Sequence, residues 1–249
     1  MKILLAAGGN PENWPQPLLT KYDAYVGIDR GALYLLQAGY PVDLAVGDFD
    51  SLSNEEQEEV FAKAKEYARS PAEKDDTDTQ LGILKTFERY PQAEVTLIGA
   101  TGGRLDHLLA NLWLGLEPRF KPFAHQLIIR DRQNYLAYYL PGKHIVRQVP
   151  SMKYLAYCCL TPVSALTLKG SKYVLENKAV EYPTSYASNE FLSDTAEFSF
   201  SDGMIAVIQS KDSPMNKRKN FVFQAKNDRI YYLLKKSLRG ATCLLFPCI

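Results

Sequence analysis

Between residues 2 and 130 the sequence alternates short apolar segments with helical ones, and the apolar segments run into turns rich in glycine or acid. Residues 2–7, 25–28, 43–46, 95–98 and 127–130 read as strands, and residues 31–38, 53 to about 69, about 76 to 90, and 104–115 read as helices. Ser53 followed by Glu56 makes a capping box at the start of the second helix. Strands separated by helices predict a parallel sheet with helices on both faces, because a parallel neighbour is reached only through a crossover connection. The expected fold is therefore an N-terminal α/β domain.

The texture changes after Asp131. Short β-rich segments at 135–140, 144–148, 154–160, 165–168, 196–200 and 204–209 are separated by turns such as Pro141-Gly142, Lys169-Gly170 and Asp202-Gly203. This pattern predicts a C-terminal β-sandwich or barrel. The expected division is 1–131 for the α/β domain, 132–212 for the sandwich and 213–249 for an extension. That extension carries eight of the basic residues and a single acid, Asp228, so a chain of net charge +1 has a mildly acidic body. Within it, residues 227–239 suit a basic helix and residues 241–249 are apolar.

Composition narrows the function classes. No apolar run approaches the ~18 residues of a membrane span, and the N-terminal stretch breaks at Gly8-Gly9, unlike a signal peptide. Four cysteines without a C-x-x-C and three scattered histidines exclude the common zinc sites and a disulfide scaffold. A reducing cytoplasm is the expected location. The acidic body argues against nucleic acid as a partner.

Three turns can carry chemistry. Gly47-Asp48-Phe49-Asp50-Ser51 follows a strand; in an extended segment the carboxylates at i and i+2 project to one side, where a Mg²⁺ ion would hold them together. The alternative is a solvated turn that caps the next helix. Lys74-Asp75-Asp76-Thr77-Asp78 opens a helix and is either simple capping or a further metal ligand with a lysine for phosphate. Gly99-Ala100-Thr101-Gly102-Gly103-Arg104-Leu105-Asp106-His107 joins a strand to a helix, where glycines admit a ligand close to the backbone and Arg104 can fork onto phosphate oxygens. It is neither a Walker A loop nor a G-x-G-x-x-G, and a tight capped turn is its plainer reading. In an open α/β sheet such turns meet at the carboxyl ends of the strands.

These segments, with Gly27-Ile28-Asp29-Arg30-Gly31-Ala32, Leu168-Lys169-Gly170-Ser171-Lys172-Tyr173, Ser188-Asn189-Glu190 and Ser201-Asp202-Gly203, come in the order found in bacterial thiamine pyrophosphokinases, and the chain resembles that family over about residues 1–212. The resemblance implies transfer of a pyrophosphate unit from Mg-ATP to the hydroxyethyl group of thiamine, giving thiamine diphosphate and AMP. It implies a homodimer with shared active sites. It implies that Asp48, Asp50 and Asp78 hold the metal, with Asp75 beside them. Asp29 and Asp106 would help hold metal, nucleotide or the attacking hydroxyl. Lys74, Thr101, Gly102 and Arg104 would meet the nucleotide, and Ser188 and Asn189 would lie near thiamine. Two other readings remain at this stage. A haloacid-dehalogenase-like phosphatase also places D-x-D after a strand, and a non-enzymatic nucleotide- or RNA-binding module could use the basic tail.

Overall fold

In the computed structural model the strand–helix alternation builds one edge-to-edge sheet. The structure describes residues 1–16, 18, 21–71 and 75–213. Lys74 and the extension beyond 213, including the helix expected at 227–239, lie outside the described residues.

Strands β1 (Lys2–Ala6), β2 (Ala24–Ile28), β3 (Leu44–Gly47), β4 (Tyr67–Arg69), β5 (Glu94–Ile98) and β6 (Leu127–Arg130) pair in parallel in the order β6-β5-β1-β2-β3-β4. Successive side chains of a strand go to opposite faces. Ile3, Leu5, Val26 and Ile28 therefore enter one buried layer with Ile83 and Phe87 of α3 (Asp78–Arg89). Leu4, Ala6 and Ala45 enter the other, with Leu33 and Leu35 of α1 (Arg30–Gln37) and Val60 of α2 (Asn54–Lys63). α4 (Leu105–Trp113) follows β5.

The helix expected from residue 53 to about 69 stops at Lys63, and Tyr67–Arg69 becomes the outermost parallel strand. The chain is captured by the open edge of β3: Lys65 N–H donates to the Val42 carbonyl, Ala45 N–H donates to the Glu66 carbonyl, and the Tyr67 ring lies tilted against Phe61 at 4.6 Å. Helix propensity yields here to a sheet edge that would otherwise leave backbone groups unpaired.

Beyond β6 the sheet continues. β7 (Asn134–Tyr139) turns back antiparallel on β6, and β14 (Ile205–Ser210), β9 (Tyr154–Cys159) and β12 (Thr184–Glu190) extend it to ten strands. The sheet thus crosses the divide expected at 131–132, and Met1–Ser213 form one compact unit. A second sheet, β11 (Leu175–Val180), β10 (Val163–Lys169), β13 (Thr195–Phe200) and β8 (Gly142–Arg147), packs on its antiparallel end. Leu155, Tyr157 and Val207 meet Leu166, Leu168 and Phe198 across this sandwich core. Strands β11 and β12 were not anticipated from pattern, because both are mostly exposed edge strands of polar residues. Cys159 and the His144 ring, which lies 5.0 Å from Phe198, serve packing.

Candidate active site

The strand order reverses between β1 and β5, so the loops after these two strands diverge at the carboxyl edge and leave a crevice. Gly8 and Gly9 after β1 and Gly99, Ala100, Thr101 and Gly103 after β5 line it, together with Asp29, Thr77, Asp78, Arg104 and His107. Its volume is about 360 Å³. The two loops touch: Gly9 N–H donates to the Gly99 carbonyl at 2.9 Å, and a Cβ on Gly9 would stand 2.3 Å from that oxygen. Any side chain there would force the loops apart. Gly8 and Gly9 were legible only as a break in the first strand; their role at the crevice depends on β5 lying beside β1.

Asp29 sits at the end of β2, with φ 48°, just before α1. Asp48 and Asp50 follow β3. These three can each bring a carboxylate oxygen within 4.8 Å of the others. The reason differs from the one expected. The Asp48–Asp50 segment is not extended: Phe49 takes φ 62°, its ring is fully buried and meets Phe61 edge-on at 5.0 Å, and Asp50 N–H donates to Asp48 Oδ1 at 3.1 Å. Burying Phe49 turns the two flanking acids outward together. The loop is held from behind. Gln57 Nε2 donates to the Phe49 carbonyl at 2.9 Å. Arg30 donates to the Ser51 carbonyl and pairs with Glu56 at 3.1 Å. Ser51 Oγ donates to Asp29 Oδ2 at 2.6 Å.

Asp29 Oδ1, by contrast, is buried without a hydrogen-bond partner. Burial raises the Asp29 carboxyl above its ordinary value; bonds from Ser51 and the Arg30 backbone lower it, and the charges of Asp78 and Asp48 raise it further. A buried acceptor without a donor, ringed by other carboxylates, is costly unless a cation sits among them. The donor set is all hard oxygen, which suits Mg²⁺. Asp29, Asp48 and Asp50 therefore fit a divalent ion, and Asp78 lines the same crevice as Asp29.

The other expected residues separate. Thr77 caps α3 in a capping box with Gln80, and this aims Asp78 at the crevice. Asp75 is exposed and is brought neither to the crevice nor to the acid group. Asp76 forks onto Arg119 at 2.7 Å and 2.8 Å, an ion pair 43 residues apart that no local pattern signals. Arg104 lines the crevice and also donates to Asp106, which holds the exposed Asp106 carboxyl below its ordinary value. Thr101 faces the crevice while its hydroxyl donates to Asp131 Oδ2 at 2.6 Å, and Gly102 takes φ 77° beside Asn13.

Ser188 and Asn189 lie on β12, at the far edge of the sheet. Ser188 is exposed in a bulge with φ 60°. Asn189 is buried with its amide consumed internally: Oδ1 accepts from the Tyr173 and Glu190 N–H groups at 2.9 Å, and Nδ2 donates to Ser171 Oγ at 3.1 Å and the Tyr173 carbonyl at 2.8 Å. Seven strand spacings, about 34 Å at ~4.8 Å each, separate β12 from β2. Among the described residues no helix is long and apolar enough to cross a membrane.

Two family models match this chain. Residues 15–126 match the catalytic domain of thiamin pyrophosphokinase, and residues 143–205 match its vitamin B1 binding domain. A thiamine pyrophosphokinase of Bacillus subtilis is 33% identical over 221 residues, covering 85% of this chain and 100% of the relative. The structure of a thiamin pyrophosphokinase family protein from Enterococcus faecalis is 60% identical, with a TM-score of 0.84, over 86% of this chain and 100% of its own. A thiamin pyrophosphokinase from Geobacillus thermodenitrificans is 35% identical, with a TM-score of 0.71, over 86% of this chain and 99% of its own. These relatives favour neither the phosphatase nor the RNA-binding reading.

Proposed function

This chain belongs to the thiamin pyrophosphokinase family and is a transferase of thiamine diphosphate biosynthesis; we propose that it acts on Mg-ATP and thiamine at the carboxylate edge of the parallel sheet, in a homodimer whose sites are shared. The observation that carries the reading is the grouping of the Asp29, Asp48 and Asp50 carboxylates, with Asp29 Oδ1 buried and unpartnered, beside a glycine-lined crevice.

In this reading Asp29, Asp48 and Asp50 hold Mg²⁺, with Asp78 next to them. When bound, the ion neutralises phosphate charge and orients the triphosphate. The chain's own groups do the rest. Glycines 8, 9 and 99 let the triphosphate approach the backbone, the first turn of α4 offers N–H groups to an anion, and Arg104 supplies a guanidinium to phosphate oxygens. The thiamine hydroxyl oxygen forms a bond to the β-phosphorus and releases its proton, the bond from the β-phosphorus to the oxygen bridging it to the α-phosphate breaks, and AMP leaves with that oxygen. Phosphoryl transfer of this kind is mostly positioning and charge neutralisation.

The width of the sheet supports the dimer. A ligand cannot reach across about 34 Å from the acids to Ser188 of the same chain. A twofold pair brings the sandwich of one copy to the acid edge of the other, and such pairs are the commonest oligomers. The test of the reaction is incubation with thiamine, ATP and Mg²⁺. AMP and thiamine diphosphate should appear in equal amounts; ADP or free phosphate as the main product would sink the reading. Four cysteines with no C-x-x-C, of which Cys158 and Cys159 are free thiols, support a cytoplasmic enzyme.

A further inference from the structure

Arg119 stands in the turn that follows α4 and reaches back 43 residues to the start of α3. Its guanidinium forks onto Asp76, with Nη1 donating to Oδ2 at 2.8 Å and Nη2 to Oδ1 at 2.7 Å, and its Nε donates to Glu117 Oε2 at 2.9 Å. The other Glu117 oxygen accepts from Gln80 Nε2 at 2.5 Å, and Gln80 Oε1 accepts from the Thr77 N–H at 2.8 Å. Asp76, Arg119, Glu117, Gln80 and Thr77 thus close a ring of bonds around the first turn of α3. The guanidinium carbon lies 4.6 Å from the centre of the Phe120 ring, and Phe120 is anchored in the buried apolar layer. Arg119 itself does not line the acid crevice.

We propose that Arg119 is a positioning residue: through Asp76 it fixes the first turn of α3 and so holds Asp78 at the crevice before a divalent ion binds. The inference rests on the reading of Asp29, Asp48, Asp50 and Asp78 as the surroundings of that ion. Its first support is position. Asp78 opens α3 two residues after Asp76, so the backbone at 76 sets where the Asp78 carboxylate stands. Thr77, Asp78 and Thr79 line one wall of the crevice, and Arg104, His107 and Asn111 line another, on α4 and its entry. Arg119, a few residues past α4, ties the two walls together.

The second support is charge. Asp78 and Asp29 repel, and the Asp78 charge helps to push the Asp29 carboxyl up. In metal-free protein that repulsion pushes the start of α3 away from β2. The fork on Asp76 opposes the movement without placing a cation in the crevice. The third support is the form of the pair. Isolated surface ion pairs hold little. This one is bidentate, is shared between two carboxylates whose side chains are only 28% and 26% exposed, and is backed by an aromatic face. A fork fixes direction as well as distance, which an ammonium does not. The capping box of Thr77 and Gln80 keeps α3 helical on its own, so loss of Arg119 should loosen where the helix starts and not whether it forms.

The test uses the full chain and needs no turnover. Mn²⁺ is titrated into the protein and the free ion is read by electron paramagnetic resonance. Arg119→Ala should weaken Mn²⁺ binding about tenfold or more, and Arg119→Lys, which keeps the charge and loses the fork, about threefold or more. Asp76→Asn should weaken it as well, and the Arg119→Ala, Asp76→Asn double variant should be no worse than the poorer single, because both remove one contact. In the assay, the Mg²⁺ concentration at half-maximal rate should rise with the loss of binding, while kcat of the Arg119 variants at saturating Mg²⁺ stays within about twofold of wild type. Metal-free melts check the fold; where Arg119→Ala does not fold, Arg119→Lys and Asp76→Asn decide. Wild-type Mn²⁺ affinity in folded Arg119 variants, losses that add in the double variant, or a fallen kcat that saturating Mg²⁺ does not restore, each overturns the assignment. A wild-type protein that binds no Mn²⁺ overturns the assignment together with the ion site. A wild-type protein that makes no AMP from ATP and thiamine overturns the pyrophosphokinase reading, and the Mn²⁺ titrations of the same proteins still judge Arg119.

Discussion

Ser51 Oγ donates to Asp29 Oδ2 over 2.6 Å, tying the loop after β3 to the loop after β2. The bond satisfies one oxygen of Asp29 and leaves the other, Oδ1, buried without a hydrogen-bond partner in a group of three carboxylates. One carboxylate is thus positioned by protein on one side and left available to a cation on the other.

This arrangement has a pH signature in metal-free protein. The Asp29 carboxyl is raised in the folded state, chiefly by burial. The folded chain therefore binds the proton more tightly than the unfolded one. The associated stability is present below the ordinary value near 3.8 and is lost as pH rises through the raised folded value. With a chelator at pH 7, Asp29→Asn should melt higher than wild type, and the difference should vanish below about pH 4. Ser51→Ala removes a bond that favours the charged form, so at pH 7 it should melt lower. A lower melting temperature for Asp29→Asn at pH 7 would contradict the account.

Asp48→Asn and Asp50→Asn should each lower kcat/KM by about 10²-fold or more while the fold survives. The amide keeps the size and removes the charge. Mg²⁺ should raise the wild-type melting temperature by mass action and raise that of the variants less. Activity within twofold of wild type at saturating Mg²⁺ would remove that acid from the ligand set.

Ser188 and Asn189 should behave differently although they are neighbours. Asn189→Ala leaves the Tyr173 and Glu190 N–H groups without their acceptor in a buried place, and should cost about 2–3 kcal/mol in denaturant unfolding. Ser188 is exposed, so Ser188→Ala should leave stability within about 0.5 kcal/mol and raise KM for thiamine. Equal losses of stability in the two variants would show that the bulge, and not the Asn189 amide, holds this edge.

Shared sites predict complementation between inactive chains. Asp48→Asn and Ser188→Trp chains, unfolded together and refolded at equal concentration, form about half mixed dimers, and each mixed dimer has one undamaged site. Activity should return to about a quarter of wild type. Mixed dimers isolated without activity would show each site to be complete within one chain.

The local pattern alone was enough for most of the α/β half, β4 excepted. Strand periodicity put Ile3 and Leu5 on one face and Leu4 and Ala6 on the other, and the Ser53–Glu56 capping box marked the start of α2 where it occurs. These are short-range effects: strand periodicity and the unpaired N–H groups of a helix end act within a few residues. The acids were legible for the same reason, as D-x-D after an apolar strand. Tertiary contact decided the rest. Residues 67–69 became a strand because β3 offered an edge, and polar β11 and β12 were held by their neighbours with little apolar pattern of their own. Asp48 and Asp50 face one way because the Phe49 ring is pulled into the core, not because the chain is extended. Asp29 joined them across a strand pair, while Asn189 was turned inward to hold Tyr173. Burial and pairing between residues distant in sequence cost or gain more than local preference does, and a linear pattern does not contain those partners.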